Sequence, residues 1–148
     1  MSTLNDFDYE EFLRLSGLDL CRRMEPLLLD PRLHVDRQVV ERLVTDLRTF
    51  RDEYHLVYAL ELLAKIAPEL AVKQAPRYLA HSYGSVWCAA HNILVRLPDS
   101  LLTPELVADV ETVALRNPGN NYVQETWKEL KARMERVGEN TNQSKQSA

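Results

Sequence analysis

Glycine is scarce in this sequence, with only four in 148 residues. Sheets joined by tight hairpins usually need more turn residues than this, so an all-β fold is disfavoured. No apolar run approaches the roughly 18 residues that span a bilayer, which predicts a protein without membrane contact. A basic face is missing as well, since the net charge is -4. Nucleic-acid binders carry such a face, so the sequence also predicts no nucleic-acid partner.

Signatures of catalysis and of cofactor binding are also absent. The chain has neither a glycine-rich phosphate loop nor a G-x-S-x-G motif. His34, His55, His81 and His91 show no metal-ligand spacing such as H-x-x-x-H or H-E-x-x-H. Cys88 and His91 are three apart on one helix, but a cysteine nucleophile needs a third group to orient its base, and none is indicated. We therefore predict no catalytic residue, no metal site and no cofactor.

The two cysteines indicate the compartment. Cys21 and Cys88 lie inside apolar helical patterns, which predicts isolated, buried thiols. Residues 1–9 are polar and acidic and do not resemble a positively charged, apolar leader. Both observations predict a cytoplasmic protein.

Helical periodicity is what the sequence has in abundance. Apolar residues recur at helical spacing in every segment between residues 7 and 137, which predicts an all-α fold. Gly17 is expected to interrupt the first helical segment, and Pro76 is expected to kink or divide a later one. Thr103 and Pro104 have the residue types of an N-cap and a first helical position.

Two observations predict internal repetition. The tripeptide PEL occurs at 68–70 and again at 104–106, and ALELLAKI at 59–66 overlays AHNILVRL at 90–97. Spacings of about 30 to 37 residues are typical of stacked helical hairpins. We predict one helical-repeat domain over 1–137 and a disordered tail over 138–148, which has no core residues. Within the domain we expect an N-terminal cap at 7–29 and hairpins at 36–67, 68–97 and 103–137.

On this pattern, the segment 36–137 resembles HEAT-like repeats. Pro76 kinking a first helix, followed by a short turn and then by Val86 and Ala90, is similar to that family's arrangement. The family usually has an Asp in the turn and an Arg after the valine, whereas this chain has Ser-Tyr-Gly-Ser in the turn and Trp87 after Val86. The resemblance implies a short, irregular stack of antiparallel helical hairpins, a HEAT-like α-solenoid.

Aromatic residues beside the apolar stripes are the candidates for binding. Tyr and Trp offer a large contact area at low entropic cost, so they anchor interfaces. The alternative is that these rings close the edges of the core. Trp127, in contrast, belongs to the apolar stripe of the last helix and is predicted to be core. The predicted partner-binding residues are Tyr54, His55, Tyr58, Tyr83, Trp87, His91 and Tyr122.

The function predicted from these observations is protein binding without catalysis. The chain resembles small bacterial immunity proteins of the HEAT-like, all-α kind. That resemblance implies that it occludes a cognate toxin, and a basic toxin domain would associate faster with an acidic chain. Two alternatives remain open: a general adaptor or scaffold with the same fold, and an enzyme subunit with a polar pocket near His81, Cys88 and His91. The oligomeric state is not indicated.

Overall fold

A computed structural model describes residues 7–146, with side chains described for residues 7–139. Over that range the chain forms eight α-helices and no strand, which confirms the predicted all-α class. None of the helices within these residues combines the length and the apolar composition that a membrane span requires. The helices are α1 (Tyr9–Arg14), α2 (Gly17–Leu29), α3 (Arg37–Asp46), α4 (Glu53–Ile66), α5 (Pro68–Gln74), α6 (Gly84–Val95), α7 (Pro104–Arg116) and α8 (Asn121–Gln146).

Local signals in the sequence set several helix ends. Gly17 has a left-handed φ of 51° between α1 and α2, a conformation that its missing Cβ permits, so the expected interruption is confirmed. The Thr103 hydroxyl accepts a hydrogen bond from the Leu106 N–H at 3.1 Å and caps α7. Pro76 lies where α5 gives way to a 3-10 turn, Ala75–Tyr78, which confirms the predicted division of that helix.

The chain divides into two compact units, with the boundary between Ala71 and Val72. The first unit contains α1 to α4, and the second contains α6 to α8. The boundary falls inside α5, the helix that opens the predicted hairpin at 68–97. The single repeat domain over 1–137 remains a prediction.

In the first unit, α2 packs against α4, and side-chain hydrogen bonds join α1 to α3. The Tyr9 hydroxyl donates to Asp46 Oδ2 at 2.6 Å, and Arg42 Nη1 donates to Glu10 Oε1 at 2.5 Å. The first helix of the predicted N-terminal cap therefore contacts the first helix of the predicted hairpin at 36–67, and the second helices of these two segments contact each other. The fully buried side chains of this unit include Phe12, Leu20, Met24, Leu43, Leu47, Leu56, Leu60, Leu62 and Leu63.

In the second unit, α6 and α8 lie side by side and run parallel. The ring of Trp87 stacks on that of Tyr122, and one turn further His91 Nδ1 lies 2.7 Å from Thr126 Oγ1. Arg133 donates to the backbone carbonyls of Val95, the last residue of α6, and of Leu97, which follows it. Later residues of α6 thus contact later residues of α8, as expected for parallel helices. The contacting residues are 35 to 38 positions apart in the sequence.

α7 and α8 form a hairpin closed by a short turn at 117–120, where the sequence reads NPGN. Asn120 Oδ1 accepts hydrogen bonds from the N–H groups of Tyr122 and Val123, so this side chain caps α8. α7 also packs against the 3-10 turn Ala75–Tyr78. The first helical segments of the second and third predicted hairpins are therefore neighbours, as their second helices are.

α8 extends beyond the predicted end of the domain. Its backbone is helical from Asn121 to Gln146, whereas the sequence predicts a disordered tail from 138. Gly138 does not adopt the left-handed conformation that ends many helices, so no local stop interrupts α8 there. A lack of core residues removes packing, but it does not by itself terminate a helix. Residues 147–148 of the predicted tail lie outside the described residues.

Candidate functional site

The second unit carries a group of aromatic side chains at the beginnings of α6 and α8. We call Tyr83, Trp87, His91 and Tyr122 the aromatic patch. The rings of Trp87 and Tyr122 are stacked, with 4.1 Å between centroids and 27° between planes. Tyr83 is 44% exposed and Tyr122 56% exposed. Because α6 and α8 are parallel, their N-terminal ends lie together, and four of the seven predicted binding residues gather there.

The segment that contains Tyr83, Trp87 and His91 carries no charge. Residues 78–95 contain no Asp, Glu, Lys or Arg, although seven of them are exposed: Ala80, Ser82, Tyr83, Gly84, Ser85, Cys88 and Asn92. Exposed helix surfaces in soluble proteins are ordinarily charged, whereas interface centres are depleted in charge and enriched in Tyr and Trp. The lack of charged residues over 78–95 is visible in the sequence, although the positions of the aromatic residues alone do not indicate it.

Thr126 fixes the tautomer of His91. The Thr126 side chain is buried, and its hydroxyl donates to the backbone carbonyl of Tyr122 at 2.9 Å. A hydroxyl has a single proton, so while it donates to that carbonyl, Thr126 Oγ1 can only accept from His91 Nδ1–H, 2.7 Å away. Neutral His91 therefore keeps a lone pair on Nε2, an atom to which none of the described residues donates. The sequence gives little sign of Thr126, a polar residue on the apolar side of α8.

Cys88 is exposed, so the prediction of a buried thiol is wrong at this position. Val86, Ala90 and Leu94 take the inward side of α6, which leaves Cys88 on the outward side. Among the described residues, the Cys88 thiol has no hydrogen-bond partner, and His91 is not within reach of it. Thr126 does supply an orienting group for His91, but no nucleophile–base pair forms. The side chains of residues 7–139 also contain no cluster of three His, Cys, Asp or Glu that could hold a metal ion.

His55 belongs to the core of the first unit rather than to an exposed rim. Its ring lies between those of Phe12 and Phe50, with centroids 5.1 and 5.8 Å away. Nε2 is 2.9 Å from the carbonyl oxygen of Phe12, and Nδ1 is 3.0 Å from Asp52 Oδ2. Both partners are acceptors, so both bonds exist together only when the imidazole carries two protons. His55 thereby joins α1 to the beginning of α4.

Tyr58 is also buried, at the seam between α2 and α4. Its hydroxyl donates to Glu25 Oε1 at 3.4 Å, and burial, followed by a hydrogen bond with Cys21, raises the pKa of the phenol. Desolvation and the nearby Glu25 carboxylate raise the pKa of Glu61 at the same seam. Of the three predicted binding residues in this unit, Tyr54 alone is exposed. A binding role for His55 and Tyr58 remains a prediction, and their burial does not favour it.

Comparison with known proteins adds no relative from which a role can be transferred. No protein-family profile matches the chain, and no curated protein or solved structure is significantly similar to it. The inference of function rests on the aromatic patch and on the uncharged segment 78–95.

Proposed function

We propose that the chain is a non-catalytic protein-binding module and that the aromatic patch is its contact surface. The observation that carries this proposal is the stack of Trp87 on Tyr122. Tyr83 is exposed at the start of α6, and the segment 78–95, which holds Tyr83 and Trp87, has no charged residue. Single exposed apolar residues are common on soluble proteins, whereas a contiguous patch marks an interaction site. Tyr and Trp are also the side chains that most often dominate binding energy.

The fold proposed with this function is a short, irregular stack of antiparallel hairpins resembling HEAT-like repeats. Support comes from the separation in sequence of contacting residues, which is 37 for Tyr9 and Asp46 and 35 for His91 and Thr126. These values are close to the 36 residues between the two PEL tripeptides, which begin at 68 and 104. In a repeat stack, equivalent positions of neighbouring repeats lie side by side, so contacting residues are separated by about one repeat length. The Glu10–Arg42 pair, with a separation of 32, departs somewhat from that length.

For the partner, we propose a bacterial toxin that the chain neutralises in the cytoplasm by covering its active site. The resemblance to small immunity proteins motivates this choice, and the net charge of -4 supports a basic partner. A general adaptor with the same fold is the second candidate, because it would use the same patch. An enzyme subunit has less support, since Cys88 has no base within reach among the described residues.

The proposal is tested by capturing partners from the native cell. Wild-type protein is compared with the double variant Tyr83→Ala/Tyr122→Ala and with Leu29→Ala, a control on the first unit that is 82% exposed and is not one of the predicted binding residues. We expect wild type and the control to retain one protein that the double variant loses. That protein, expressed alone, should inhibit growth, and co-expression of wild type should restore it.

Two outcomes would contradict the proposal. Equal capture by the double variant would remove the aromatic patch as the contact surface. A captured protein that leaves growth unaffected would exclude toxin neutralisation and favour the adaptor. A melting curve of each variant establishes that loss of capture does not reflect unfolding.

A further inference from the structure

We propose that the aromatic patch recognises an arginine side chain presented by the protein partner. This inference deepens the proposed function and rests on it. It is carried by three features: the stacked rings of Trp87 and Tyr122, the Nε2 lone pair that neutral His91 keeps, and the exposed carboxylate of Glu125, which follows Tyr122 by three residues on α8.

The aromatic rings supply the first part of the site. Aromatic faces carry partial negative charge and attract cations, and tryptophan does so most strongly. The planar guanidinium of arginine stacks on such faces, whereas the ammonium of lysine does not. Tyr122 is 56% exposed although one of its faces is covered by Trp87, so ring surface remains open to a partner.

His91 supplies a hydrogen-bond acceptor beside the rings. Trp87 and His91 are four residues apart on α6, so they are neighbours on the helix surface. The Thr126 hydroxyl holds Nδ1–H and leaves the lone pair of Nε2 for an external donor. Nε2 is not among the buried atoms that lack a partner, so solvent reaches it. A guanidinium, which has five N–H donors and no acceptor, matches an acceptor of this kind.

The charges around the patch favour a cation. No Lys or Arg occurs between residues 78 and 95, so no side chain of that segment competes for the rings. Glu125 is three residues after Tyr122 and makes no ion pair with any described residue. The nearest cation along α8 is Lys128, which lies about 240° around the helix from Tyr122. It follows Glu125 by three residues but forms no ion pair with it among the described residues.

The dipoles of α6 and α8 oppose this preference, because both N-terminal ends lie at the patch. Each helix end is worth about half a positive charge, and its influence falls off within the first turn. The Asn120 side chain occupies the first N–H groups of α8. His91 is the eighth residue of α6, beyond the first turn, so the acceptor lies outside the strongest part of the opposing field.

An NMR titration of the full chain tests the site without any partner protein. The ligand is N-acetyl-arginine methylamide, and the control is the citrulline analogue, which has a similar shape but no charge. We expect arginine to cause saturable shifts at the Trp87 indole N–H and at His91 Nε2, while citrulline shifts these signals much less. The Trp127 indole N–H, which is buried, serves as the internal reference and should not move.

Two variants connect the shifts to the proposed contacts. Glu125→Gln changes an exposed residue and should weaken arginine binding about threefold, whereas Lys128→Gln should leave it unchanged. His91→Phe keeps an aromatic ring but removes the acceptor, and we expect a loss of roughly tenfold. The inference is overturned if arginine produces no saturable shift, if citrulline binds equally well, or if neither variant weakens binding. Partner capture that depends on Tyr83 and Tyr122 would then still support the proposed function.

Discussion

The two units differ in where several of their aromatic side chains lie, although each has an exception: Tyr54 of the first unit is exposed and Tyr78 of the second is buried. All three phenylalanines of the chain lie in the first unit, where Phe12 and Phe50 enclose His55 and where Tyr58 is buried at the α2–α4 seam. Both tryptophans lie in the second unit, and there the aromatic patch is turned toward solvent. An aromatic residue near the beginning of a second helix therefore has no fixed role. The residues brought over it by other helices decide whether it becomes core or surface.

A matched pair of tyrosines gives the largest expected difference between the units. Tyr58→Ala should lower the free energy of unfolding by about 3 to 5 kcal/mol, because it opens a cavity at a buried position. Tyr83→Ala should lower it by less than about 1 kcal/mol, since that side chain is 44% exposed. Chemical denaturation of both variants measures the difference. If both substitutions lowered the free energy of unfolding equally, Tyr83 would belong to the core and the two units would not differ in this respect.

A matched pair of histidines gives a smaller difference. His55→Phe removes the partner of the buried Phe12 carbonyl, and we expect a loss of about 1 to 3 kcal/mol. His91→Phe should cost less, because the Thr126 hydroxyl still donates to the Tyr122 carbonyl. Thermal unfolding of the two variants under the same conditions ranks them. If His91→Phe lost more stability than His55→Phe, the assignment of His55 to the core and of His91 to the surface would be wrong.

Trp127 tests whether one aromatic residue of the second unit behaves as core. It is partly buried, and its indole N–H is buried without a partner. Trp127→Phe removes that unpaired donor and should change the free energy of unfolding by no more than about 1 kcal/mol. Trp127→Ala should destabilise the fold more strongly than Phe does, since it also removes the packed ring. Denaturation curves in which the two substitutions have equal effects would place Trp127 outside the core.

Glu61 gives the smallest expected effect, and that effect depends on pH. Its folded-state pKa is raised, so protonated Glu61 favours the folded state, and this contribution is lost as the pH rises through that pKa. At neutral pH the charged carboxylate is therefore unfavourable beside Glu25. Glu61→Gln should raise stability at pH 7 by about 0.5 kcal/mol or less and should have no benefit in acid below the ordinary pKa. A gain that persists in acid would show that charge is not the cause.

The helices themselves were predictable from the sequence, because they depend on nearby residues. The interruption at Gly17, the division at Pro76 and the cap at Thr103 are all confirmed. The exposure of Cys88 also follows from the inward stripe of its own helix, whereas the burial of His55 was not predictable in this way. That burial depends on which residues pack over the ring, and the covering carbonyl comes from Phe12, 43 residues away. Periodicity identifies the inward stripe of a helix but does not say what lies beside it.

The orienting role of Thr126 was missed for a related reason. A threonine on an apolar stripe reads as a tolerated polar residue, since its hydroxyl can bond to the carbonyl four residues earlier in its own helix. Thr126 does make that bond, and the bond leaves its oxygen available only as an acceptor for His91. The contact of Thr126 with His91 depends on the packing of α6 against α8, and the sequence of one helix alone does not indicate it.

Arg133 has a consequence for the opposite end of this helix pair. Its guanidinium is largely buried and donates to the Leu97 carbonyl at 2.9 Å and to Asp99 Oδ1 at 2.6 Å. α8 is thus tied to the end of α6 by Arg133 and to the beginning of α6 by Trp87 and Tyr122. Neither helix can slide or rotate against the other without breaking one of these ties. The stacked rings of Trp87 and Tyr122 are consequently held in place by folding. The partner binding that we propose would therefore cost little further conformational entropy at these two side chains.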